Sequence, residues 1–274
     1  MLKIVGIDNS SYSNILENID NYIEIFLKNG LVCFKKIYLS TTEQEKIMNL
    51  FGEKLKWNYI SNIHTEDHSY SISKHRVDIG KDQIIIPWHI EHLERLYTQV
   101  SASWNMTKFT CPKGHGNTGF IDSSYLYSLM PYDWQEFLKS IIVTHETMKF
   151  PHRRCVIAHR NSRKNILRLS PDFNEDVLIS VKYNAPSDKE ILYFDQIKKW
   201  YCDQVENNES VKTWWEWDEG DFMIPDLLYM IHSVKGGFTS SNRQFARNWA
   251  YAKKTDFLRY RNLQFNERHG LKNG

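Results

Sequence analysis

The sequence predicts a mainly β protein with flanking helices, an α+β arrangement, and three observations predict it. Amphipathic periodicity of about 3.6 residues dominates the start of the chain, short β-rich runs gather towards its end, and no strand–helix–strand rhythm joins them. With 41% hydrophobic and 14% aromatic residues, the 274-residue chain can fill a sizeable core. Its 25% charged fraction is that of an ordinary folded protein, which argues against disorder. The length exceeds the commonest domain size, yet β-rich barrels and sandwiches reach it as one unit, so a single domain over residues 1–274 is expected.

Between Asn14 and Leu27 the residues Ile15, Ile19, Ile23, Phe26 and Leu27 recur at helical spacing, and Asn29-Gly30 supplies a stop, which predicts one amphipathic helix. Leu31-Val32-Cys33-Phe34, an apolar run after a glycine, reads as a buried strand. Ser40 with Glu43 three residues later can cap the free amides of a first turn, predicting a second helix that runs to about Leu50 and stops at Gly52. Trp57 to His75 is polar, aromatic-rich and without period: a loop with short strands is expected, and residues 57–80 are a candidate lid, because long connections often carry function. Ile84 to Trp88 reads as a strand with His89 at or just past its end. Asp122 to Leu138 is expected to be helical and divided by Pro131. Ile141 to Val143, Val156 to Ala158, Ile166 to Leu169, Phe222 to Ile224 and Phe245 to Ala252 are expected strands, and Leu192 to Val205 a late helix.

Composition narrows the function classes. Thirty-five Lys and Arg against 33 Asp and Glu leave a net charge of +2 with no long run of either sign, so nucleic acid is not an expected partner. Cys33, Cys111, Cys155 and Cys202 are widely separated and form no CxxC pair, which leaves ordinary thiols rather than a zinc ribbon or thioredoxin-like motif. The N-terminal MLKIVGIDNSSYSN lacks a basic stretch leading into an apolar one, and no run of about 18 apolar residues occurs; no membrane partner and a cytoplasmic location are expected. Assembly into a homo-oligomer is left open.

The first chemistry-bearing segment is Trp88-His89-Ile90-Glu91. In an extended strand, residues two apart share a face, so His89 and Glu91 can reach one metal ion. A distant second His would complete a facial triad, which leaves coordination positions for substrate and oxygen. Among 11 His and 33 acidic residues such a pair arises easily by chance, so alone it decides nothing.

The run Gly220 to His232, GDFMIPDLLYMIH, followed by Arg243 and Arg247, resembles the taurine dioxygenase and clavaminate synthase-like group of Fe(II)- and 2-oxoglutarate-dependent oxygenases. In that family a W-x-x-x-D-[FIL]-x-[IL]-x-D run leads to the distal metal-binding His, with an Arg about eleven residues beyond and often a second Arg four residues later. Trp217, Asp221, Phe222, Ile224, Asp226, His232, Arg243 and Arg247 fall in that register. Asn29 to Phe34 with Phe51-Gly52, then Gly116-Asn117-Thr118, then Val156 to Arg160 with Lys164 to Leu169, are similar to further family segments in the same order. The likeness covers most of the chain.

This resemblance implies a double-stranded β-helix, or jelly roll, in which two sheets enclose a metal. It implies Fe(II), 2-oxoglutarate and O2, with His89, Glu91 and His232 as metal ligands. It also implies that Arg243 holds the distal carboxylate of 2-oxoglutarate, supported by Thr118, and that Arg247 faces either the cosubstrate or an anionic substrate. Arginine suits the first of these tasks because its planar fork matches a carboxylate. His159 corresponds to a family position outside the triad and is expected to be structural; Trp214, Trp215 and Trp217 are expected in core and cleft wall. Glu91 stands where taurine dioxygenase has Asp, Leu227-Leu228-Tyr229 where many members have Asn-Arg, and no Pro follows His159. The expected reaction is oxidation, most simply hydroxylation, of an unactivated C–H bond in a small polar molecule of amino-acid type, with release of succinate and CO2. A halogenase is disfavoured by the carboxylate ligand and a zinc hydrolase by Arg243; the alternative is a non-catalytic jelly-roll binding protein.

Overall fold

The structure, a computed structural model, describes residues 4, 6–8, 10–63, 80–91, 97–145, 153–159, 161–169, 171, 177–182, 184–239 and 241–253. Residues 64–79, the greater part of the expected lid, lie outside that set. After β1 (Gly6–Ile7) come α1 (Tyr12–Glu17) and α2 (Ile19–Asn29), two helices where the periodicity predicts one. Asn18 divides them: both its backbone N–H and its side-chain amide donate to the Asn14 carbonyl, so the side chain competes with the helical ladder. Gly30, at φ +79°, ends α2 and turns the chain into β2 (Leu31–Phe34), buried at every position. The Ser40–Glu43 capping box opens α3 (Thr41–Leu55), which runs through Gly52 rather than stopping there. Gly52 serves a close approach instead: a Cβ on it would lie 2.9 Å from Ile60 of β3 (Tyr59–Ile60).

The rest of the chain supplies β4 (Ile84–His89), β5 (Tyr97–Phe109), β6 (Thr118–Asp122), α4 (Ser123–Leu129), α5 (Tyr132–Ser140), β7 (Ile141–His145), β8 (Arg153–Arg154), β9 (Val156–Ala158), β10 (Asn165–Leu167), β11 (Val177–Val181), α6 (Asp188–Asn207), β12 (Thr213–Trp215), β13 (Phe222–Pro225), β14 (Met230–Lys235) and β15 (Arg243–Lys253). Pro131 divides α4 from α5 as expected, because it cannot continue a helix. Helix and strand are less segregated along the chain than the periodicity suggests: β4, β5 and β6 precede α4.

Two sheets face each other. The larger has the order β1-β2-β13-β5-β15-β3 and the smaller β12-β6-β14-β4. Trp104 on β5 stacks on Phe120 of β6 with ring centroids 6.0 Å apart, so the inner faces meet there. Helices α2 and α3 cover the outside of the larger sheet, where Phe26, Ile47, Met48 and Phe51 join the apolar residues of β2 and β13. Helices α4, α5 and α6 cover the smaller one, where Leu126, Leu138, Ile197 and Tyr201 pack with Trp88, Ile121 and Ile231. This is the double-stranded β-helix, with helical layers outside both sheets. On β14 the period of two puts Ile231 in the helix-side core and leaves Met230 and His232 facing the other sheet. All four cysteines are free. Among the described residues no helix is long and apolar enough to cross a membrane.

Candidate metal and cosubstrate site

Strands β4 and β14 pair antiparallel with His89 directly opposite His232, and the two imidazole centroids lie 4.2 Å apart. Glu91, two residues past His89 and therefore on the same face, brings Oε1 to 3.9 Å from His89 Nε2 and 3.6 Å from His232 Nε2. Ligand atoms of all three lie within 4.8 Å of one another. His89 Nδ1 is 2.8 Å from the Pro87 carbonyl and His232 Nδ1 is 3.3 Å from the Met230 carbonyl. A carbonyl can only accept, so each ring carries its proton on Nδ1 and turns the Nε2 lone pair towards Glu91. Two nitrogen lone pairs and a carboxylate converging on one point suit a divalent cation of imidazole-and-oxygen preference. The Trp104 ring, 5.7 Å from that of His232, walls one side.

Further along the same inter-sheet space, Arg243 opens β15. Its guanidinium carbon is 4.6 Å from the ring centroids of both Phe238 and Phe245, and its Nη2 donates to Thr118 Oγ1 at 3.3 Å. The residue is 7% exposed, and its Nε is buried without a hydrogen-bond partner among the described residues. Burial pushes its pKa down, to about 9. The side chain thus keeps its charge at neutral pH, and the desolvation penalty is relieved when an anion arrives. Gly116 makes room for it: at φ +63°, a Cβ here would lie 3.0 Å from Arg243 Cδ. Thr118 pairs with Val234, two residues from the Phe120–His232 pair, which sets it about 7 Å along the strand from the level of His232. Arg247 lies four residues down β15, paired with Trp104, its guanidinium 4.4 Å from the Trp249 ring. It stands on the metal side of Arg243 and outside the Arg243–Thr118 contact.

Of the residues picked out by the sequence, His89, Glu91 and His232 form one cluster and Thr118 and Arg243 a second. His159 lies in neither: buried, it sits with Nε2 3.1 Å from Asp226 Oδ2 and with Ser162 at Nδ1, a structural histidine. Trp104, Phe238, Phe245 and Gly116 were not among the expected site residues. For Trp104 a signal exists in the strict alternation Val100, Ala102, Trp104, Met106 against Gln99, Ser101, Ser103, Asn105.

The sequence matches the profile of the Taurine catabolism dioxygenase TauD, TfdA family over residues 3–249. The chain belongs to that family. It is accordingly a 2-oxoglutarate-dependent non-haem iron dioxygenase that uses Fe(II) and 2-oxoglutarate and acts on a small molecule. A taurine dioxygenase from Burkholderia xenovorans superposes with a TM-score of 0.64 at 13% identity, over 92% of this chain and 89% of that one. AAD-2, solved in complex with Mn(II) and N-oxalylglycine, gives 0.66 at 13% identity over 93% and 96%. At such identity the likeness fixes the fold. No curated protein matches the sequence.

Proposed function

We propose that this dioxygenase, one catalytic domain over residues 1–274, hydroxylates an unactivated C–H bond of a small polar molecule with release of succinate and CO2. The ferrous ion is held by His89, Glu91 and His232. The observation that carries this reading is the pairing of two incomplete sites in one cleft: three converging ligand atoms and, further along the strands, a buried guanidinium without a carboxylate partner among the described residues. A five-carbon diacid with a keto-acid end completes both.

In the bound state, iron with the 2-oxo acid and dioxygen supplies the oxidising power, and the chain supplies placement. Arg243 grips the far carboxylate of the cosubstrate with charge-assisted hydrogen bonds, and Thr118 adds a donor. The Pro87 and Met230 carbonyls keep both imidazoles in the ligating tautomer. Trp104 and the two phenyl rings around Arg243 restrict water, which raises the worth of each charged contact inside. Arg247, the strand partner of Trp104, is the residue assigned in this proposal to an acidic group on the cosubstrate or the substrate. Amino acids and their derivatives are the first substrate class to test. That choice follows Glu91, one methylene longer than Asp, at the acidic ligand position shared with clavaminate synthase.

Purified protein loaded anaerobically with Fe(II) and 2-oxoglutarate, then exposed to air with a panel of amino acids, is expected to release succinate and yield a product 16 mass units heavier, the mass of one oxygen atom. His89→Ala should do neither. Wild-type protein that binds no ferrous ion, or that turns over only on a protein or nucleic acid, would sink the proposal.

A further inference from the structure

We infer that Trp217 is a positioning residue for the cosubstrate, acting through the hydroxyl of Thr118; this rests on the binding role proposed for Arg243 and Thr118. Trp217 lies in the connection between β12 and β13 and is 3% exposed, with its ring edge-on to Phe245 at 5.0 Å and to Trp215 at 6.4 Å. Its indole Nε1–H donates to Thr118 Oγ1 at 2.8 Å. A threonine hydroxyl offers two lone pairs and one proton. The indole takes one lone pair and Arg243 Nη2 the other. The proton must then point away from both donors, and no acceptor among the described residues receives it.

Thr118 is thereby fixed as a donor beside the unpartnered Nε of Arg243. The ligand chemistry this selects is an acceptor-only group that can take several donors at once, which is a carboxylate. Donation into the hydroxyl oxygen also polarises its own O–H, strengthening the bond it gives. Thr118→Ser could keep this function, whereas Thr118→Val removes it. The neighbouring aromatics serve packing; the indole N–H serves direction, and a Phe at position 217 would keep the first and lose the second.

The test compares two metal chelators on the Mn(II)-loaded enzyme by calorimetry: N-oxalylglycine, which carries a far carboxylate, and oxalate, which lacks one. Trp217→Phe is expected to weaken N-oxalylglycine roughly three- to tenfold, the worth of one neutral hydrogen bond, and to leave oxalate unchanged. In a Thr118→Val background the same substitution should add nothing. Equal weakening of both ligands, or full additivity of the two substitutions, would make Trp217 merely structural and overturn the inference. Should the Phe variant not fold, benzothienylalanine at position 217, which replaces the N–H by sulfur at nearly constant shape, gives the same comparison. Wild-type protein that fails to bind N-oxalylglycine in the presence of Mn(II) would instead overturn the cosubstrate site itself.

Discussion

At Arg243, stability and function pull in opposite directions. A guanidinium between two phenyl rings, with an Nε unpaired among the described residues, carries a desolvation penalty that Thr118 and the rings offset in part and a bound anion offsets further. Arg243→Met keeps the length and the apolar stem but removes the charge. In the ligand-free protein the variant is expected to be more stable by about 1–3 kcal/mol in urea unfolding, while N-oxalylglycine binding falls by two orders of magnitude or more, about 3 kcal/mol. A destabilised variant would mean that the cation has a structural partner. A second expectation concerns pH. The free-enzyme pKa is depressed to about 9 by burial, and a bound carboxylate raises it, so between the two values binding takes up a proton. Affinity should therefore be level below about pH 9 and fall by up to tenfold per pH unit above it, with proton uptake visible as a buffer-dependent heat. Binding unchanged at about pH 10.5 would contradict this.

The site is assembled by elements, and they were unequally legible. The triad could be read because a period of two places His89 beside Glu91, and the run from Trp217 to Arg247 carries a register that locates His232 and Arg243. Strand β5, the longest among the described residues, is not among the expected strands although Val100 to Met106 alternate. Its polar residues do not face water: Ser101, Ser103 and Asn105 are buried and bond to the Pro225 carbonyl, Asn248 and the Leu39 carbonyl. Alternation looks like a half-exposed strand, and here both faces are covered. Strand β14 was hidden for a similar reason, since His232 and Ser233 interrupt its apolar run for metal-site and backbone duties. The sequence predicts too short a helix α3, ending at Gly52 instead of Leu55, because a glycine kept for the approach of Ile60 resembles a stop signal. Its join to the sheet gives a prediction. Gln44, 0% exposed, donates to Ser103 Oγ at 2.7 Å and to the Ala246 carbonyl at 3.0 Å, bracing β5 and β15 from behind where their other faces carry Trp104 and Arg247. Gln44→Leu removes both donations, although Ser103 keeps its bond to Asn248, and should lower stability by about 1–3 kcal/mol in urea unfolding, with Mn(II) affinity unchanged. An equal loss of metal affinity would show that the brace reaches the metal centre.

Across the whole molecule the metal-ligand cluster stands on one sheet and the second cluster spans both, with Thr118 on the smaller sheet and Arg243 on the larger. His89 and His232 stand on the smaller sheet and Arg243 on the larger, so a metal ion ties β4 to β14 within one sheet, whereas a chelated diacid joins both. Linkage states that two ligands at equal multiples of their dissociation constants raise global stability equally, about 2.7 kcal/mol at a hundredfold excess, wherever their contacts lie. The distribution of that stability need not be equal, because local opening depends on which elements a ligand holds. On the Mn(II)-loaded enzyme, oxalate and N-oxalylglycine at matched saturation should give matching shifts in the unfolding midpoint. Hydrogen exchange should then separate them: oxalate slows amides of β4 and β14, and N-oxalylglycine extends the protection to the first residues of β15 around Arg243. His232→Ala should abolish the oxalate pattern altogether. Identical protection maps for the two ligands would mean that the far carboxylate never reaches the larger sheet, and the cleft would then have to be read as a metal site alone.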